Sequence, residues 1–327
     1  MAHGILIAGL LLVLIGSEVA MRGGVGLARA FDLPPLVIGA VVIALLTVAP
    51  ELFVTFRAVT MGRPELALGG LFGAIILNLT FVVGLGALIQ PMSSPPKMVF
   101  RDGTALLIAA LGVLACALTG ALPRLAGVAA LLGFALYNVV VFATDWRRAP
   151  EHSVGLARAL YRSRGEIPST MAALLVLVLG LAAMALGSHL GVWGARELAE
   201  DLGWSETTIG LIVLAAGLSA PKLLTTLYVA IRGDSGIAVG SLLSAAVFCL
   251  TLVLGVVVLF QPVQIPAGFA VQDIPILAGI TFVLIPLLAM RWRLSRPRGL
   301  LLILAYGCYL AFLLWRQGLP LPWGFLQ

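Results

Sequence analysis

Residues 46–53 read LTVAPELF and residues 217–224 read GLSAPKLL, 171 positions apart. Each places an Ala-Pro pair before an ionisable residue, Glu51 in the first and Lys222 in the second, inside a long apolar run. The same offset extends well beyond these segments. GSEVAMRGGVGLARAFDLPPLVIG (16–39) aligns with GSHLGVWGARELAEDLGWSETTIG (187–210), matching Gly16 to Gly187, Ser17 to Ser188 and Gly39 to Gly210. Without a gap it then pairs Pro50 with Pro221, Gly62 with Gly233, Ala67 with Ala238, Gly69 with Gly240, Gly84 with Gly255, Gln90 with Gln261 and Pro91 with Pro262. Apolar segments resemble one another by chance, but chance does not hold Gly, Pro and Gln in one register. The chain carries an internal repeat.

Composition says where the repeat works. Of 327 residues, 61% are apolar and 10% charged, with a mean hydropathy of +1.13. A soluble domain carries about 25% charged residues, so this chain cannot clothe a water-facing surface. It reads as an integral all-α membrane protein. Spans of about 20 apolar residues are expected near 4–28, 34–58, 65–89, 102–119, 123–143, 168–198, 205–231, 236–260, 273–290 and 299–316. The apolar N-terminus lacks the basic start of a signal peptide and is read as the first span. The segment TDWRRAPEHSVGLARALYRSRGEI (144–167) is polar and arginine-rich. It divides the chain into a first five-helix repeat (1–143), a linker loop (144–167) and a second five-helix repeat (168–327). Fourteen of the 20 Lys and Arg residues follow odd-numbered spans and five follow even-numbered ones. The positive-inside rule then places the linker in the cytoplasm and both termini outside, in a bacterial-type inner membrane. Five spans per half make the second half enter inverted, and inverted repeats hold their substrate sites at the midplane where they meet.

Other function classes recede. The net charge of +6 arises in short inter-span loops, which argues against nucleic acid. Cys116, Cys249 and Cys308 lie in apolar segments at no metal-site spacing and read as core filling. There are three histidines, His3, His152 and His189, and no phosphate loop or nucleophile–histidine–acid pattern. No enzyme activity and no cofactor are expected. The expected partners are membrane lipid and a small inorganic cation or proton.

The two Ala-Pro segments, with the glycine-rich spans after them, resemble the calcium/cation antiporter superfamily of sodium/calcium exchangers. That family carries a G-T-S-x-P-E pattern on one helix of each repeat and a Gly/Asn/Ser-rich pattern on the next. In the first repeat Thr47, Pro50, Glu51, Gly69, Gly73 and Asn78 match, while Leu46, Val48, Gly70, Ala74 and Ile75 depart. In the second, Gly217, Ser219, Pro221 and Gly240 match. There Leu218 replaces threonine, Lys222 replaces glutamate, and Ser241, Ala245, Ala246 and Cys249 stand where the family has other polar or acidic residues. The resemblance implies an exchanger-like fold in which spans 2, 3, 7 and 8 line a central site and spans 1 and 6 are long, sliding helices.

The departures bear on chemistry. Ca²⁺ takes six to eight oxygens, with carboxylates supplying much of the charge. The family's facing glutamates supply two negative charges, whereas Glu51 and Lys222 sum to zero. Ordinary Ca²⁺ affinity is therefore not expected here. A charge at the bilayer centre costs about 2.5–3.5 kcal/mol on insertion scales, and pseudo-symmetry offers each residue the other as partner. The pair reads either as a fixed lock between spans 2 and 7 or as a switch, in which Lys222 releases a proton when a cation enters beside Glu51. A third reading makes Lys222 the ligand of an organic or anionic solute, and a fourth makes the chain a non-transporting scaffold. Thr47, Asn78 and Ser219 are candidate ligands, and Pro50 and Pro221 are candidate points of helix interruption. Glu18 and His189, also 171 apart, are candidates for a gate or proton path.

Overall fold

The computed structural model describes residues 2–31, 42–145, 169–232, 235–266 and 268–318. Residues 34–41 of the expected second span, 146–167 of the expected linker and 168 of the expected sixth span lie outside these, as do Gly39 and Gly233 of the repeat.

Helices dominate, because a chain in hydrocarbon must satisfy its backbone internally. In chain order they are α1 (Ala2–Ala30), α2 (Ala44–Thr60), α3 (Pro64–Ile89), α4 (Pro96–Ala117) and α5 (Arg124–Asp145), then α6 (Thr170–Leu202), α7 (Glu206–Ile231), α8 (Ala238–Phe260), α9 (Phe269–Trp292) and α10 (Arg296–Arg316). Among the described residues all but α2, which has 17 residues, are long and apolar enough to cross a membrane. The ends follow capping chemistry. Ser169 opens α6 by accepting from the Ala172 N–H, and Gly203, at φ 64°, closes it in the left-handed conformation that glycine adopts without strain.

The repeat reappears as local structure. Widened π turns occupy Asn78–Val82 in α3 and Cys249–Val253 in α8, again 171 apart. Two more lie at Gly210–Leu214 in α7 and Phe269–Asp273 at the start of α9. The prolines behave otherwise than expected. Pro50 and Pro221 lie inside continuous helical segments, Ala44–Thr60 and Ala215–Arg232. Each removes one N–H from the ladder, but the helix continues past it, and π turns lie elsewhere in the spans.

Helices α1 and α6 run antiparallel along much of their length, on glycines spaced seven apart in each. A Cβ added to Gly9 would meet the Gly191 nitrogen at 2.3 Å, one on Gly16 the Met184 nitrogen at 2.8 Å, and one on Gly23 the Leu177 nitrogen at 2.3 Å. From the other side, Cβ atoms on Gly180, Gly187 and Gly194 would meet the nitrogens of Ala20, Val13 and Leu6 at 2.2, 2.6 and 2.5 Å. Such small-residue seams let backbones touch where lipid offers no hydrophobic drive for helix association.

The halves are also stitched together by short strands. β1 (Met92–Ser93) pairs antiparallel with β4 (Arg293–Leu294), and β2 (Ala121–Leu122) with β3 (Val263–Gln264). The first ribbon joins the connections after α3 and α9, the second those after α4 and α8. Odd connections thus meet odd and even meet even, as a ten-span chain requires. The fifth helix of each half leans on the third helix of the other. Gly84 on α3 lies against the Gly299 carbonyl of α10, and Gly127 on α5 against Leu259 of α8. Central α3 and α8 are sheathed by the others, and most of their residues are buried.

Candidate functional site

Glu51 and Lys222 project from α2 and α7 at equivalent points of the repeat. Both are buried, at 0% and 8% exposure. The structure brings them together: Lys222 Nζ donates to Glu51 Oε1. Two buried charges stay ionised at this depth only when paired, because desolvation of each costs several kcal/mol. The second carboxylate oxygen, Glu51 Oε2, has no partner among the described residues, and the same holds for two other buried oxygens, Thr55 Oγ1 and Asn78 Oδ1. Thr55 lies one turn beyond Glu51 on α2, and Asn78 opens the π turn of α3. Buried polar atoms are normally hydrogen-bonded, so these three acceptors mark capacity for a donor or a cation.

The remaining candidate residues are placed less directly. The Thr47 hydroxyl donates to the Ile43 carbonyl of its own helix at 2.7 Å. Buried Ser219 lies with its hydroxyl 3.5 Å from the Ala74 carbonyl on α3. Among the described residues no cluster of three or more His, Cys, Asp or Glu is assembled. A cation beside Glu51 would therefore draw its other oxygens from hydroxyl, amide and backbone groups.

Glu18 and His189 occupy matching positions but have different neighbours. Glu18 Oε1 accepts from Arg22 Nε at 3.0 Å on its own helix, and both side chains are well exposed. His189 Nδ1 accepts from the Arg57 guanidinium of α2, at 3.1 Å from Nε and 2.8 Å from Nη2. The α1–α6 register sets Gly16 against Met184 and Ala20 against Gly180, which leaves Glu18 and His189 roughly two helical turns apart along the seam.

Sequence reasoning passed over a second symmetric pair of buried acids. Asp102 and Asp273, 171 apart, are buried at 1% and 0% exposure near the starts of α4 and α9. Tyr137 of α5 donates to Asp102 at 3.0 Å, and Tyr309 of α10 donates to Asp273 at 3.1 Å. Arg101 pairs with Asp102 at 2.7 Å and Arg316 with Asp273 at 2.9 Å. Extending the repeat past Pro91 and Pro262 would have matched the aspartates. The tyrosines are offset by one further residue and fall out of that register.

A family model described as sodium/calcium exchanger protein matches residues 1–143 and 172–315. A buried ionisable pair between two inverted halves, on that family's framework, defines a secondary transporter and not an enzyme. The chain is 30% identical to the inner membrane protein YrbG of Escherichia coli, over 96% of this chain and 97% of that one. It is 25% identical to the sodium/calcium exchanger MaX1 of Methanosarcina acetivorans, over 94% and 97%. Among solved structures, the sodium-calcium exchanger NCX_Mj superposes with a TM-score of 0.57 at 26% identity, covering 95% of this chain and 97% of that one. The chain belongs to the sodium/calcium exchanger family.

Proposed function

We propose that this transporter exchanges a monovalent cation for a proton, with Glu51 and Lys222 as the charge switch. The observation that supports this most is the buried Lys222–Glu51 pair with Glu51 Oε2 left unpartnered among the described residues. In one state the ammonium neutralises the carboxylate. When a cation enters beside Glu51, the N–H bond of Lys222 breaks, its electron pair stays on nitrogen, and the proton leaves to water. A carboxylate with a monovalent cation and a neutral amine again sums to zero, so the low-dielectric site keeps its charge through the cycle. A divalent ion would leave it with an excess positive charge, which burial disfavours. Asn78, Thr47, Thr55 and Ser219 supply uncharged oxygens around the pair.

We infer that the chain lies in an inner membrane with both termini outside. The charge bias of the loops supports the orientation, and the name of the Escherichia coli relative supports the membrane.

Purified protein in liposomes tests the reading. A proton gradient should drive Na⁺ or K⁺ uptake without moving Ca²⁺. Lys222→Glu, which provides two facing carboxylates, should admit a divalent ion. Should the native protein exchange Ca²⁺ for Na⁺ and Lys222→Glu change nothing, the account of the lysine is wrong. If neither variant moves a cation, the solute is of another kind and Lys222 is its ligand, or the chain is a scaffold.

A further inference from the structure

We propose that a cleft between α4 and α5 binds one anionic phospholipid, drawn from the leaflet that the charge bias assigns to the cytoplasm. The cleft encloses about 1210 Å³, above the roughly 300–1,000 Å³ of an ordinary small-molecule pocket. Gly112 of α4 and Gly133 of α5 leave it wide, and Val247, Leu250 and Leu254 of α8 form its floor. A Cβ built on either glycine meets nothing within 4 Å. Part of the space therefore comes from missing side chains on the two helices, with apolar residues of α8 beneath them. That shape suits acyl chains.

One end of the cleft has a different chemistry. Lys97 and Arg101, one turn apart on α4, both line it. Arg101 donates to Asp102 at 2.7 Å and reaches Thr144 Oγ1 of α5 at 3.3 Å, so it bridges the mouth from one wall to the other. Lys97 is exposed and makes no ion pair with any described residue. Asp102 pairs with Arg101, and Lys97 presents its ammonium at the mouth. The depth is fixed by an aromatic pair: Phe100, between the two basic residues in sequence, packs edge-on against Trp292 with ring centroids 5.5 Å apart. Exposed aromatic rings of this kind gather at the headgroup level. A basic end at that level above an apolar cleft matches a phosphate above its acyl chains, and basic pockets between spans on the cytoplasmic side bind anionic lipids.

The other half of the molecule provides an internal contrast. At the repeat offset Lys97 corresponds to Gly268 and Arg101 to Gln272. Arg316 of α10 pairs with Asp273 as Arg101 pairs with Asp102, so what the second half lacks is a counterpart of Lys97, and symmetry of the transport core does not account for that cation.

Native mass spectrometry of the full chain, released from detergent with phosphatidylglycerol or phosphatidylcholine, tests the proposal. One phosphatidylglycerol should stay bound per chain, preferred at least five-fold over phosphatidylcholine. Lys97→Gln should lower that preference about five-fold, the effect of one basic residue near an anionic surface. Gly133→Leu, which adds bulk to the cleft lining where a Cβ meets nothing within 4 Å, should abolish retention of both lipids. Gly279→Leu, on exposed α9 surface that is equally open, should change nothing. Equal retention of the two lipids, or retention unaltered by Gly133→Leu, would overturn the proposal. So would a lipid-free dimer that Gly133→Leu dissociates, because a second copy would then be the occupant.

Discussion

The two halves share a backbone and differ in the charge they place at its centre. Both carry an Ala-Pro-ionisable motif, a π turn one helix later, and a buried aspartate on the fourth helix satisfied by a tyrosine on the fifth. The first half supplies Glu51 and Asn78, and the second supplies Lys222 and Cys249 at the same points. Duplication preserved the frame because helix contacts, seams and ribbons all depend on it. The residues inside the site were free to diverge, because what they must satisfy is each other. On the proposed reading, the second half holds an ammonium on a tether where a free cation would lie.

The sharpest way to break this comparison is to remove one member of the central pair. Lys222→Ala should destabilise the protein by about 3–5 kcal/mol, because it strands a buried carboxylate. Thermal unfolding in detergent would record the loss, and added Na⁺ should recover part of it if a cation can replace the ammonium. The double change Glu51→Leu with Lys222→Met should return stability close to that of the native chain, because well-packed apolar pairs equal or exceed buried ion pairs. It should also abolish exchange, which separates a charge switch from a mere lock.

The seam comes next. Gly16→Leu and Gly187→Leu each push a side chain against backbone, and overpacking of this kind costs about 1–3 kcal/mol. If the two long helices are equivalent by symmetry, the two losses should agree, and unequal unfolding midpoints would show that the halves bear the seam differently. Tyr137→Phe and Tyr309→Phe should each cost about 1 kcal/mol, the worth of one hydrogen bond, since Asp102 and Asp273 keep their arginines. Glu18→Gln should be the mildest. It weakens an exposed i,i+4 pair worth about 0.5 kcal/mol, and a large fall in exchange activity with unaltered stability would support Glu18 as a gate residue.

Much of this was legible in the sequence because glycine, proline and glutamine punctuate an otherwise uniform apolar text. The span number follows from the apolar runs, the inversion from an odd number of spans per half, and the partnership of Glu51 with Lys222 from the 171-residue offset. The π turns were not legible, since one inserted residue in a helix leaves hydrophobicity unchanged on every side. Pro50 and Pro221 drew attention as symmetric prolines within apolar spans, and the helices run through both. The Arg57–His189 contact depends on how α2 lies against α6, which no spacing within either helix encodes. The glycines seven apart in α1 and α6 were visible as letters, but their meaning as a seam needs the antiparallel register that packing supplies.

The two strand ribbons have a consequence for assembly. Each is made by one strand from either half, one ribbon for each parity of connection, and the fifth helix of each half leans on the other. The first half, which leaves the ribosome first, lacks its strand partners and the support of α10 until the second half is made. Equally, once the halves have met, the covalent link between them is no longer what joins them. A chain cut within residues 146–168 and expressed as two fragments should reassemble through the ribbons and swapped helices. In that sense the protein is a heterodimer that happens to be encoded as one chain.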